Sequence, residues 1–244
     1  MRKLLRSLVS GPAVIGLTGA LSPVISALTF ADEAAPDPLL YLWARTCLFT
    51  AGVRHDARGL ENLPSGNFVL AVNHISHFDA LVLFAHIRRH MRFVAKQELA
   101  KIPVFGPALK RAGNVFVERT GGEKDKAVMA EAARAVRERV SIVFFAEGTR
   151  SDDGALRPFK KGAAVMAIEA GVPLVPAAIW GTHEILKKGS MVVHPSPAAL
   201  VIGSAIETAG LSHDDRDSLT TAAHASVAAS LDEAKRLVVG LGDR

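Results

Sequence analysis

The chain has 244 residues, of which 49% are hydrophobic, and this is sufficient for one compact catalytic domain with a short additional segment. The single cysteine, Cys47, excludes an intramolecular disulfide bond, and one tyrosine with no basic stripe interleaved with aromatic residues argues against a nucleic-acid partner. The formal net charge of +5 fits anionic lipids or phosphorylated substrates, and the mean hydropathy of +0.24 fits contact with a membrane.

The first element is an uncharged stretch at residues 8–30, which is long enough to cross a bilayer as a helix. It follows three basic residues, and residues 29–31 would suit signal-peptide cleavage. Pro12, Pro23 and three glycines weaken one straight span. Three interpretations stay open, namely a signal peptide, a spanning helix and an interfacial or re-entrant anchor, and we favour the anchor.

A second apolar stretch at residues 39–50 contains Tyr41, Trp43 and a central arginine. It is too short to span a membrane, and its composition suits the level of the lipid headgroups. Two helices that enter the membrane and return would form a monotopic hairpin. We therefore assign residues 1–52 to membrane-associating helices and residues 53–244 to a catalytic domain.

Beyond residue 53, short apolar runs alternate with helical patterns. The predicted strands are residues 67–72, 91–95, 114–117, 141–145, 174–180 and 200–203, and the predicted helices are residues 78–87, 105–112, 124–140, 161–170 and 217–237. This alternation predicts an α/β fold with a mixed, largely parallel sheet flanked by helices, preceded by an apolar helical membrane-anchoring segment.

The segment N-H-I-S-H-F-D at residues 73–79 lies where a predicted buried strand ends and a helix begins. At such a junction Asp79 can fold back to His74, and a carboxylate–imidazole pair makes a general base. The same residues fit a capping box in which Asp79 only caps the helix. His74, His77 and Asp79 could also be ligands of a metal ion. The motif alone leaves these interpretations open.

Two later strands also end in polar residues. The run V-F-V-E-R-T at residues 115–120 delivers Arg119, a side chain suited to phosphate recognition. The run F-F-A-E-G-T-R-S at residues 144–151 brings Glu147 as an acceptor, Gly148 for close backbone approach, and Thr149 and Arg150 as donors to an oxyanion or phosphate. Ordinary strand-to-loop turns would show the same pattern.

Together these segments resemble the glycerolipid acyltransferase family, whose best-known activity is acylation of 1-acyl-sn-glycerol-3-phosphate. The family's N-H-x-x-x-x-D, arginine, E-G-T-R-S and proline blocks match residues 73–79, 116–119, 147–151 and 172–176 in order, and residues 94–106 are also similar. Two positions depart from the family's pattern, since Ala146 replaces a usual proline and Glu118 a common aspartate.

The resemblance implies that His74 deprotonates the acceptor hydroxyl, which then attacks the thioester of acyl-CoA or acyl-carrier protein, and that Asp79 orients His74. It also implies a set of substrate-binding residues, namely Lys96, Arg119, Glu147, Gly148, Thr149 and Arg150. Neither a metal ion nor another cofactor is implied.

The expected partners are a lysophospholipid acceptor, the acyl donor and the membrane surface, without nucleic acid. Because the donors are cytoplasmic, we expect a membrane-associated protein on the cytoplasmic face of the inner membrane. The alternative functions are acylation of another acceptor, such as glycerol-3-phosphate or a lyso-aminolipid, non-catalytic lipid binding, and metal-dependent hydrolysis.

Overall fold

A computed structural model of the chain describes residues 2–118 and 122–243. The helices are α1 (Arg2–Leu28), α2 (Asp37–Ala51), α3 (Phe78–His86), α4 (Phe105–Arg111), α5 (Glu123–Glu138), α6 (Gly162–Ala170), α7 (Thr182–Ile185) and α8 (Arg216–Gly242). The strands are β1 (His55–Arg58), β2 (Val69–Val72), β3 (Met91–Lys96), β4 (Val115–Val117), β5 (Ser141–Phe145), β6 (Leu174–Trp180) and β7 (Ala198–Ile202).

The seven strands form one sheet in the order β1-β7-β6-β2-β5-β3-β4. Every pair is parallel except β6 and β7, which are antiparallel. In the register, Val72 at the end of β2 lies opposite Phe145 of β5 and Ala177 of β6. The carboxyl ends of the three central strands therefore meet at one edge of the sheet, which is where ligands bind in open α/β sheets. The predicted fold class is confirmed.

Both faces of the central strands are covered, which explains their nearly uninterrupted apolar sequences. Leu70 and Val72 of β2 face a hydrophobic cluster that includes α2 and α3. Val69 and Ala71 point to the opposite face, into a cluster with α5 and α6. The alternation of side chains along β2 thus joins two helical layers to one sheet, and this packing fixes the loop that follows β2.

The predicted strands agree with the structure to within two residues at each end, but β1 was not predicted. Its sequence, H-D-A-R, has no apolar run because β1 is an edge strand whose residues stay partly exposed. Its position is fixed by parallel pairing with β7, about 140 residues later in the chain, where His55 lies opposite Ala198. A pairing between strands so far apart in the chain cannot be recognised from the sequence around β1 alone.

The N-terminal segment forms one continuous helix, α1, which runs through Pro12 and Pro23. Within it, residues 9–28 are long and apolar enough to cross a membrane by length and composition. The helix also packs along α2, where Trp43 Nε1 donates a hydrogen bond to Thr18 Oγ1 at 3.1 Å. The two prolines thus do not end the helix. Ser10 Oγ also donates to the carbonyl of Thr50 at 3.2 Å, so α1 and α2 pack against each other in antiparallel directions.

The connection between α1 and α2 is held to the sheet by the buried side chain of Arg92 on β3. Its guanidinium donates to Asp37 Oδ1 at 2.8 Å and to the backbone carbonyls of Glu33, Met91 and Ala112. The other oxygen of Asp37 accepts from the His90 ring at 2.7 Å. A buried charge pair with several further hydrogen bonds thereby attaches the N-terminal helices to the sheet.

Candidate active site

The imidazole of His74 and the carboxylate of Asp79 are in direct contact at the end of β2. Asp79 Oδ2 accepts a hydrogen bond from His74 Nδ1 at 2.8 Å, and it also accepts from the backbone N–H groups of Ile75 and Ser76 at 2.8 and 2.9 Å. Because an ionised carboxylate only accepts, the proton of the imidazole belongs on Nδ1. His74 Nε2 is then the basic nitrogen of the pair.

The structure combines the two local interpretations of Asp79. Its carboxylate reaches back to the backbone N–H of Ser76, as in half of a capping box, and it binds His74 at the same time. The box is not completed, because the Ser76 hydroxyl accepts from the N–H of Phe78 at 3.3 Å and not from that of Asp79, while it donates to the carbonyl of Leu186 at 2.9 Å. Capping of α3 and orientation of His74 are therefore one arrangement.

The ring of His74 is also fixed from one face. It stacks on Phe145 at the end of β5, with ring centroids 3.9 Å apart and an interplanar angle of 17°. Phe145 in turn lies against Phe93 of β3, with centroids 5.8 Å apart. The His74 ring is thus held by Asp79 at one nitrogen and by the stacked Phe145 ring on one face, while 17% of the His74 side chain stays exposed.

The turn at residues 147–151 holds the backbone of His74. Buried Glu147 accepts from the His74 N–H through Oε1 at 2.7 Å and from the Arg157 N–H through Oε2 at 3.1 Å. The N–H of Ser151 donates to the His74 carbonyl at 2.8 Å. Burial raises the pKa of Glu147, and the two backbone N–H groups oppose this effect. Gly148 adopts φ +76°, a conformation that glycine allows without strain.

The structure brings together some of the predicted site residues but not all. Glu147 binds the backbone N–H of His74, Gly148 follows it in the same turn, and Thr149 is exposed there. Arg150 lies close enough to His77 to contribute, after burial and together with His74, to lowering the pKa of His77 to about 4. Lys96, at the end of β3, is half-exposed and pairs with Glu98 at 2.8 Å. Arg119 lies outside the described residues.

A metal site at His74, His77 and Asp79 finds no support in this geometry. Across residues 2–118 and 122–243, no three His, Cys, Asp or Glu side chains are grouped so that they could hold a metal ion. His74 Nδ1 faces Asp79, whose Oδ2 is engaged by three donors. The arrangement instead suits proton transfer through His74 Nε2.

Two contacts at the site were not predicted. The side chain of Asn73 pairs with the backbone of Ile179 on β6, donating to its carbonyl at 2.9 Å and accepting from its N–H at 2.7 Å. Three residues further along, the Thr182 hydroxyl donates to Asp79 Oδ1. Asn73 belongs to a motif that the sequence singles out, whereas Thr182 is a lone threonine with no pattern around it.

Comparison with known proteins places this site in context. The family model named Acyltransferase matches residues 54–180. A chloroplastic 1-acyl-sn-glycerol-3-phosphate acyltransferase of Brassica napus is 37% identical over 151 residues, which are 61% of this chain and 43% of that protein. One from Chlamydomonas reinhardtii is 30% identical over 215 residues, 86% of this chain and 63% of its own length. The chain thus spans about half the length of these relatives.

A crystal structure of the 1-acyl-sn-glycerophosphate acyltransferase PlsC from Thermotoga maritima has the same fold. Its TM-score with this chain is 0.77 at 24% sequence identity, and the match covers 100% of this chain and 97% of that one. At this identity the match establishes the fold, including the N-terminal helices, and the chemistry has to be argued from the side chains of this chain.

Proposed function

This chain belongs to the acyltransferase family, and from that premise we propose that it transfers a fatty acyl group from an acyl thioester to the free hydroxyl of a lysophospholipid. The proposed acceptor is 1-acyl-sn-glycerol-3-phosphate, the substrate in the names of its relatives, and the product is phosphatidic acid. The observation that carries the proposal is the buried carboxylate of Asp79, which leaves His74 Nε2 as the proton acceptor.

In the proposed mechanism, His74 Nε2 removes the proton of the acceptor hydroxyl as its oxygen attacks the thioester carbonyl carbon. Asp79 holds the Nδ1–H and stabilises the imidazolium that forms. When the tetrahedral intermediate collapses, the C–S bond breaks and the imidazolium returns its proton to the leaving thiolate. The donors at residues 148–150 would stabilise the oxyanion, because they belong to the turn that holds His74.

Binding of the acceptor phosphate is assigned to basic residues that come at or shortly after the ends of β3, β4 and β5 in the sequence. We propose Arg119 for this role, together with Lys96 and Arg150, since guanidinium groups bind phosphate in a bidentate manner. Thr149 would add a hydroxyl donor from its exposed position. The buried carboxylate of Glu147 faces the backbone of His74, so we propose that it shapes the glycerol site through that backbone.

We propose that α1 and α2, within residues 1–52, associate the protein with a membrane and that residues 53–244 form the catalytic domain. The length and apolar character of α1 support this proposal. The donor, acyl-CoA or acyl-carrier protein, is a soluble cytoplasmic molecule. The site would accordingly face the cytoplasm at the inner membrane, and a reporter fused to the C-terminus tests this orientation.

The experiment that tests the function is an acyl-transfer assay with a panel of acceptors and both donors. The panel contains 1-acyl-sn-glycerol-3-phosphate, glycerol-3-phosphate and a lyso-aminolipid, and release of free thiol is measured with each. We expect the highest kcat/KM with 1-acyl-sn-glycerol-3-phosphate. A preference for another acceptor would correct the substrate, whereas lipid binding without thiol release from any donor would overturn the proposal in favour of a binding protein.

A further inference from the structure

Both oxygens of the Asp79 carboxylate are occupied, and only one of them faces His74. Oδ2 accepts from His74 and from two backbone N–H groups of the same loop, whereas Oδ1 accepts from the hydroxyl of Thr182. Asp79 and Thr182 are both 0% exposed. Because water does not reach this place, it cannot replace the Thr182 hydroxyl. Asp79 Oδ1 therefore depends on the Thr182 side chain for its hydrogen bond.

Thr182 lies next to Asp79 because it follows the end of β6, the strand that neighbours β2 in the sheet. The side chain of Asn73, directly after β2, forms hydrogen bonds with both the N–H and the carbonyl of Ile179. This pairing fixes the end of β6 next to the loop that carries His74. Gly181 then turns the chain with φ +92°. A Cβ atom at Gly181 would lie 2.2 Å from the carbonyl oxygen of Pro197, so the turn requires glycine.

A second hydrogen bond holds the other end of the segment that follows β6. Thr182 begins α7, and the residue after this helix, Leu186, accepts a hydrogen bond from the Ser76 hydroxyl at 2.9 Å. The segment after β6 is therefore bonded at both ends. Thr182 binds Asp79 in the first turn of α3, and Leu186 binds Ser76 in the loop that carries His74. Such a double attachment leaves Thr182 little freedom to move relative to Asp79.

From these contacts we infer that Thr182 is a positioning residue of the acyl-transfer site, whose hydroxyl holds the Asp79 carboxylate in the orientation that binds His74 Nδ1. Removing this hydroxyl takes away the donor that Oδ1 has in the structure, and the buried carboxylate is then held only through Oδ2. The carboxylate can then turn about its Cβ–Cγ bond, which moves Oδ2 away from His74 Nδ1. The inference rests on the proposed function, and it adds a residue just beyond the stretch matched by the family model.

The test replaces Thr182 by valine, which keeps the shape and removes the hydroxyl, and by serine, which keeps the hydroxyl. Hydrogen bonds to charged groups contribute enough that we expect T182V to lower kcat about ten- to a hundredfold with KM changed less than about threefold. T182S should retain kcat within about threefold. The matched control is T208V, because Thr208 is also buried and donates to a backbone carbonyl, that of Val172 at 2.9 Å, away from the site.

A spectroscopic measurement separates this inference from the proposed function. The Nδ1–H of His74, bonded to a buried carboxylate, should give a low-field proton resonance in NMR spectra of the wild type, T182S and T208V, and this signal should shift upfield or vanish in T182V. If T182V does not fold, T182A is used in both measurements, since it removes the same donor with a smaller side chain.

The outcomes are distinguishable. A wild type without acyl transfer refutes the proposed function, and the resonance still reports on Thr182. A wild type that transfers acyl groups, together with a T182V variant of unchanged kcat and unchanged resonance, overturns the inference. Equal losses of kcat in T182S and T182V, or in T208V and T182V, also overturn it, because the loss would then follow packing rather than the hydroxyl.

Discussion

The buried carboxylate of Glu147 accepts a hydrogen bond from the backbone N–H of His74 at 2.7 Å, so the E-G-T-R-S segment at residues 147–151 supports the N-H-I-S-H-F-D segment at residues 73–79. The other oxygen of Glu147 accepts from the N–H of Arg157 at 3.1 Å. Both oxygens thus serve as acceptors toward the backbone. The carboxylate connects the turn after β5 to the loop after β2, at the edge of the sheet where the two strands end.

Replacing Glu147 by glutamine should destabilise the protein by about 1–3 kcal/mol, because the amide nitrogen must face one of two backbone donors in a buried place. Urea unfolding measures this loss, and kcat for acyl transfer should fall with it as the His74 backbone shifts. The control is E131Q on the exposed face of α5, which should change neither quantity. Unchanged unfolding of E147Q would show that the two backbone contacts contribute nothing.

Most of the strands of this fold could be predicted from the sequence because they are buried on both faces. Residues 141–145 and 174–180 are apolar runs that end at polar residues, and they match β5 and β6. The course of α1 was less predictable, because Pro12 and Pro23 are helix breakers in most contexts. In the structure, α1 continues through both, packed along α2 and α4.

The candidate site was predictable as a set of residues but not as a set of contacts. His74 and Asp79 are five residues apart, and their pairing follows from the strand–turn–helix junction. The contact between Glu147 and the His74 backbone joins residues 73 positions apart, and the one between Thr182 and Asp79 spans 103. Contacts of this kind depend on the strand order of the sheet, which a single sequence does not contain.

Replacing Arg92 by methionine should lower the free energy of unfolding by about 3–5 kcal/mol, because Asp37 would remain as a buried charge that has lost its main partner. The control is R58M. Arg58 has a side chain that is 60% exposed and pairs with Asp56 at 3.5 Å, so this variant should lose less than about 1 kcal/mol. Equal losses in urea unfolding of the two variants would contradict the role of Arg92 in fastening the N-terminal helices.

The stability of the protein should fall in mild acid because of a pair of histidines that joins β1 to the end of α3. His55 Nδ1 and His86 Nε2 are 2.8 Å apart, so the two rings share one hydrogen bond. Burial, followed by the charge of His55, lowers the pKa of His86 to about 4, and burial and nearby Arg45 lower the pKa of His55.

Since both pKa values lie below that of an unfolded histidine, about 6.5, the unfolded state binds more protons in acid. The stability that the neutral pair provides is complete above about pH 6.5 and decreases as the pH falls toward 4. We expect a loss of about 1–2 kcal/mol between pH 7 and pH 5 in urea unfolding. The variant H86Q should show a shallower pH dependence, and an equally steep one would refute this assignment.

The exposed apolar side chains of α1 should govern attachment to membranes. Val9, Ile15 and Val24 are 61%, 56% and 46% exposed, so their replacement by serine together should leave the packing of α1 on α2 intact. We expect this triple variant to pellet less with phospholipid vesicles while its unfolding is unchanged. The control is V239S, at a 64% exposed position on α8, which should pellet like the wild type. Full retention of vesicle binding by the triple variant would place the attachment elsewhere.

The measurement that tests the central claim most directly is thiol release from an acyl thioester in the presence of 1-acyl-sn-glycerol-3-phosphate, with the wild type and with His74→Ala. General-base catalysis contributes about 10²- to 10⁴-fold, and we predict a loss of this size in kcat for the variant. Its unfolding should resemble that of the wild type, because the His74 ring is partly exposed and its backbone keeps its bonds to Glu147 and Ser151. A folded His74→Ala variant that retains wild-type turnover would contradict the account.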